Sequence, residues 1–219
     1  MNYKKIFNVV GVVAVAVVFC VGCSKDDTPD YSDDPNDGKG DDSYSYSGGV
    51  KIGNQTWMAK NLDRKTINSK CYENSEEYCL KYGRLYTWTD AVKACPAGWH
   101  LPNDAEWTAL ITAVGGESIT GKKLKATSGW GDGEYVHRNG TDDYGFSALP
   151  SGYGLSDGSF ILAGDKGEWW SATELRREEY EVWRTVSVVG VSDGERIDFG
   201  GNDGFGVDKP LRSVRCVQN

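Results

Sequence analysis

The residues of this 219-residue chain that could do chemistry are six cysteines, two histidines and the acid pair Asp142–Asp143. Cys71, Cys79, Cys95 and Cys216 show no C-x-x-C spacing among themselves, and only His100 and His137 could join them, so no metal site is expected. In an exported chain the four would form two disulfides, with three connectivities open. His100, in "GWHLP", could serve as a base, but no Ser or Cys stands at an obvious reach, which favours a structural turn histidine. His137 falls in a Gly-rich loop and should be exposed. Asp142 and Asp143 could form half a calcium site or an acid–base pair. Neighbours on a strand point to opposite faces, so an Asx turn or an exposed loop is the stronger reading. No nucleophile–base pair emerges, and an enzyme is not expected.

Aromatic residues offer a second kind of chemistry. Trp130, Tyr135 and Tyr153 sit in the Gly-rich stretch 125–165. Exposed rings on a rigid scaffold grip glycans and partner surfaces, so these three and the nearby Asp142 and Asp143 are candidate ligand contacts. The competing reading is that the rings plug the loop region. Trp99, Trp107, Trp169, Trp170 and Trp183 lie in periodic segments and should be core.

Two helices must position these residues. Trp88, Ala91, Val92 and Cys95 form one apolar face, opened by a Thr87–Asp90 capping signature. The second helix starts at Asn103 with Glu106 at the capping-box position. It buries Trp107, Leu110, Ile111 and Val114 and stops at Gly115–Gly116. Cys95 therefore ends the first helix on its core side. The rest reads as short strands: 50–62, "YGFSALPSGY", "GEWWSAT", a hairpin from "YEVWRTVSVV" to "GERIDFG", and a closing "RSVRCVQN" with Cys216.

The chain opens with Lys4 and Lys5, an apolar run too short to span a membrane, and Cys23. Residues 24–49 contain no aliphatic side chain, so they cannot bury enough surface to order. Residues 24–46 hold eight Asp against two Lys, net −6 of the chain's −8. The folded part is mildly acidic with scattered Lys and Arg, which argues against nucleic acid as a partner.

Apolar run, small residue, cysteine and polar tether together resemble a bacterial lipoprotein signal. That resemblance implies a signal peptide over 1–22, lipid on Cys23, a disordered acidic tether over 23–48 and a domain over 49–219. "CSKDD" is similar to the tag of surface-exported lipoproteins. The implied location is the outer membrane, lipid-anchored and cell-surface exposed.

"GNQTWMAKNL", "CYENSEEYCLKYGRLYTWTDAVKACPAGWHLPNDAEWTALI", "GKKLKATSGW", "YGFSALPSGY", "WWSATE" and "SVRCV" resemble the Fibrobacter succinogenes major paralogous domain family. Their order is also similar to the C-type-lectin-like fold, an α+β class in which two helices pack on small, mainly antiparallel sheets with a long Gly-rich loop region. That fold implies a bridge from helix one to the last strand, Cys95–Cys216, the long-range pair also favoured for an exported domain. Cys71–Cys79 would then close a local loop. The lectin calcium triplet is absent, and only Asn202–Asp203 resembles its second half, so no cofactor is expected and calcium lacks a motif. The implied function is a binding or adhesion module for a glycan or an envelope protein, with Asn202 and Asp203 added to the ligand contacts. The alternatives are a purely structural envelope protein or an enzyme related to the formylglycine-generating family, to which 98–107 and 212–217 are similar.

Overall fold

Residues 44–131, 138–176, 181–189, 197–202 and 209–219 are described by a computed structural model of the chain. Their strands are β1 (Val50–Ile52), β2 (Gln55–Trp57), β3 (Leu85–Tyr86), β4 (Trp99–His100), β5 (Ser151–Gly154), β6 (Phe160–Ala163), β7 (Lys166–Arg176), β8 (Glu181–Val189), β9 (Ile197–Asn202), β10 (Arg212–Ser213) and β11 (Val217–Gln218). Their helices are α1 (Glu76–Tyr82), α2 (Trp88–Ala94), α3 (Asp104–Val114) and α4 (Glu117–Leu124). The first sheet runs β1-β2-β11-β4 and is antiparallel throughout. The second runs β3-β10-β7-β5-β6, with β8 on β7 and β9 on β8. It is antiparallel except where β7 meets β5 and β10. Four helices on two small, mostly antiparallel sheets make this an α+β domain.

Local sequence explains α3. Asn103 accepts from the Glu106 amide at 3.0 Å, and Glu106 accepts from the Asn103 amide at 2.9 Å, a complete capping box. Trp107, Leu110, Ile111 and Val114 are its buried stripe. Gly115 ends it at φ +122°, where a side chain would be strained. α2 departs from its expected face. Ala91 and Ala94 are buried and Thr87 caps it, but Val92 is 37 % exposed. The burial stripe follows i, i+3 on the two alanines, and the small side chains let the helix lie close to β7.

α1 and α4 were not expected as helices. Seven residues are too few to hold a helix alone in water, and α1 has no side-chain cap. It is held from outside: Cys79 is bonded to Cys71, and Tyr78 stacks on Tyr82 with centroids 5.9 Å apart.

β7 shows how one strand serves two cores. Trp169 and Trp170 are both fully buried, and alternation along the strand sends them to opposite sides. Trp169 joins Trp57, Trp107, Trp130 and Phe146, whereas Trp170 joins Met58, Tyr86, Ala91 and Val214. The closing segment links these layers, because β10 lies in the second sheet and β11 in the first. Cys216 sits between those two strands rather than within one.

Candidate functional site

Two disulfides fix the surroundings of the site. Cys95, at the C-terminal end of α2, is bonded to the buried Cys216, with 6.0 Å between their Cα atoms. Cys71 and Cys79, both buried, are bonded with 4.9 Å between their Cα atoms. Cys71, Glu76 and Cys79 bring potential metal donors together, but both sulfurs are committed to the disulfide.

A cleft of ≈ 360 Å³ opens where 59–63, the end of α1 and the 147–149 segment converge. Its size suits a small ligand. The first wall is zipped to the closing segment, since the Met58 amide donates to Cys216 O and the Leu62 amide to Val214 O. The second wall turns at Gly83, with φ +76°, where an added Cβ would lie 2.8 Å from Leu62 O. Only glycine lets the two walls approach so closely.

Lys60, Asp63, Lys81, Tyr82 and Ser147 give the cleft its polar character. Lys81 Nζ lies 4.8 Å from the Tyr82 ring centroid, and a hydrogen bond to Tyr82 raises its pKa. Burial raises the Asp63 pKa, while Arg84, 3.7 Å away, pulls it back. Arg84 also reaches Glu76 at 3.2 Å. Leu80, 86 % exposed, and Leu149 supply apolar surface.

Behind the cleft stands a buried cation. Arg215 is inaccessible to solvent and donates to Asn61 Oδ1 at 2.7 Å from Nη2, and to Met58 O at 3.0 Å and Phe146 O at 2.5 Å from Nη1. Nη2 also reaches Ser147 O at 3.4 Å. Burial drives its pKa down to about 9. Asn61 spends its remaining capacity on Tyr82 O, Ser213 Oγ and the Trp169 indole. Two residues that touch Arg215, Asn61 and Ser147, therefore also line the cleft.

The residues singled out from sequence are scattered. Trp130 is 2 % exposed and its indole donates to Ala148 O at 3.0 Å, so it plugs the core and offers no face to a ligand. That corrects the exposed-ring expectation for this residue. Tyr153 is half-buried, its centroid 4.2 Å from the Arg212 guanidinium and 5.4 Å from Lys166 Nζ, and Glu168 bridges those two cations. Asp142, at φ +48°, accepts from the Ser147 amide and hydroxyl at 2.7 and 2.5 Å, closing its own loop. Through Ser147 it is the one candidate, among the described residues, that adjoins the cleft. Asp143 is exposed. Asn202 ends β9, its backbone opposite Trp183. Cys23, Tyr135, His137 and Asp203 lie outside the described residues.

His100 bridges two elements. Its Nε2 is 2.6 Å from Glu106 Oε1 and its Nδ1 is 2.6 Å from Asn219 Oδ1, which ties β4 to the start of α3. Lys60, Lys81, Ser147 and Arg215 were missed from sequence. Three distant segments meet to form the cleft, and no motif announces such an encounter.

Among the described residues, the fold and cleft thus define an α+β domain with two disulfides and a concave polar site. The family described as "Fibrobacter succinogenes major domain" matches residues 50–218, and the chain belongs to that family. No curated protein and no solved structure matches it.

Proposed function

We propose that the chain is a cell-envelope lipoprotein, held at the outer membrane by lipid on Cys23, whose domain is a binding module with a glycan as ligand and no catalytic role. The C-type-lectin-like assignment belongs to the same proposal. The observation that carries it is the cleft, where polar and apolar groups meet on walls pinned by the Cys71–Cys79 disulfide and by the hydrogen bonds to 214–216. Preorganised walls reduce the ordering cost of binding. The acidic, aliphatic-free stretch ahead of the domain supports display on a tether. All four cysteines among the described residues are in disulfides, which leaves formylglycine-type chemistry no thiol there.

A glycan array probed with the full chain tests the reading, and protease shaving of intact cells is expected to release the domain. Leu80→Ala should weaken any saccharide found about tenfold, equivalent to about 1.4 kcal/mol. The melting temperature should hold, since Leu80 is 86 % exposed. Silence across plant and bacterial glycans would sink the binding role.

A further inference from the structure

We infer that the cleft selects a monoanionic saccharide, one whose sugar carries a carboxylate or a sulfate ester; this rests on the binding-module reading above. The chain as a whole is acidic, at −8, so a positive cleft is not an average property of its surface. Lys60 and Lys81 are exposed at the cleft and, among the described residues, neither forms an ion pair. Asp63 is the single carboxylate among the cleft-lining residues, and Arg84 already stands beside it at 3.7 Å. Glu77, one turn before Lys81, acts on that ammonium without pairing with it. The lining side chains therefore carry one positive charge in excess.

Arg215 adds to this from behind. Its bonds to side chains and backbone end on neutral oxygens, those of Asn61, Met58, Phe146 and Ser147. Asp142 is the carboxylate whose field it feels, and both Asp142 oxygens accept from Ser147. A cation held in the low-dielectric interior is screened far less than one in water. Because Asn61 and Ser147 separate Arg215 from the cleft, its potential reaches the space a ligand would fill. An anion there meets two ammonium groups in front and a guanidinium behind, while Leu80 and Leu149 face the apolar side of a sugar ring. A neutral sugar would desolvate the same ammonium groups and return no countercharge.

Calorimetry on the full chain with matched pairs tests this. The pairs are galacturonic acid against its methyl ester, and a monosulfated galacto-oligosaccharide against its unsulfated form. At least one acidic member should bind tenfold or more tightly than its neutral partner, and 0.5 M salt should weaken it; which pair responds distinguishes carboxylate from sulfate ester. The double variant Lys60→Gln/Lys81→Gln should remove most of that preference and leave the melting temperature unchanged. Equal binding of acidic and neutral members overturns the charge selection and leaves the binding role standing. Acidic binding untouched by the double variant also overturns it, because the anion then sits elsewhere. If no saccharide of either kind binds, both readings fall.

Discussion

The two disulfides sit in regions that depend on them differently. Cys95–Cys216 spans 121 residues and joins α2 to the segment that links both sheets. Around it lie Met58, Tyr86, Ala91, Leu101, Trp170 and Val214, a packed core in its own right. Cys71–Cys79 spans 8 residues and holds one short helix against a small cluster of Tyr72, Leu85 and Leu211. The first bond reinforces an architecture that burial already favours. The second adds to the burial of Cys79 and Tyr82, giving α1 the order that seven residues cannot supply, and α1 is a wall of the cleft. One cross-link therefore serves the fold and the other serves the site.

Removing Cys95–Cys216 should have the largest effect. Cys95→Ala with Cys216→Ala is expected to cost about 4–5 kcal/mol by loop entropy, read by denaturant unfolding as a global loss. Removing the local bond by Cys71→Ala with Cys79→Ala should cost about 2–3 kcal/mol. Its signature is regional: amide exchange should accelerate over 76–82 while 104–114 keeps its protection. Acceleration spread evenly over both stretches would break the comparison.

The smallest effect is pH-dependent and sharpens the account of the first region. Tyr86 is buried and donates to Arg64 O at 2.7 Å, and burial pushes its pKa well above 10. Stability linked to the neutral phenol is thus whole below pH 10 and lost as pH rises beyond it, at no more than about 1.4 kcal/mol per pH unit. Arg215 acts in the opposite sense, because its depressed pKa, about 9, relieves a folded-state cost as pH climbs from there. Subtracting the Tyr86→Phe profile from that of the natural protein isolates the phenol. The variant should lose about 1 kcal/mol at pH 8 for the missing hydrogen bond and decline less steeply above pH 10. Parallel profiles would remove the phenol from the account.

Legibility in the sequence followed the range of the interactions. α3 was readable in full because its cap, stripe and terminator lie within fourteen residues and each acts on its neighbours. The end of α2 at Cys95 was readable for the same reason. α1 was not, since its support comes from a disulfide and stacked tyrosines rather than a cap or an apolar stripe. Trp130 misled because glycines on both sides suggested an exposed loop. Its ring instead lies beneath Lys125, 5.0 Å from the ammonium, and bonds to Ala148. Arg215 gave no sign at all, as a single arginine between Val214 and Cys216 reads as a surface charge until the carbonyls around it are known. The cleft inherits that opacity, being assembled from three stretches whose meeting is tertiary.

Trp57 pairs with Val217 on one side and with Val50 on the other, so the two flanks of the family domain lie in one sheet with only β2 between them. A unit whose entrance and exit lie one strand apart can be grafted between unrelated sequences, or set at the tip of a leash, with little bending of its host.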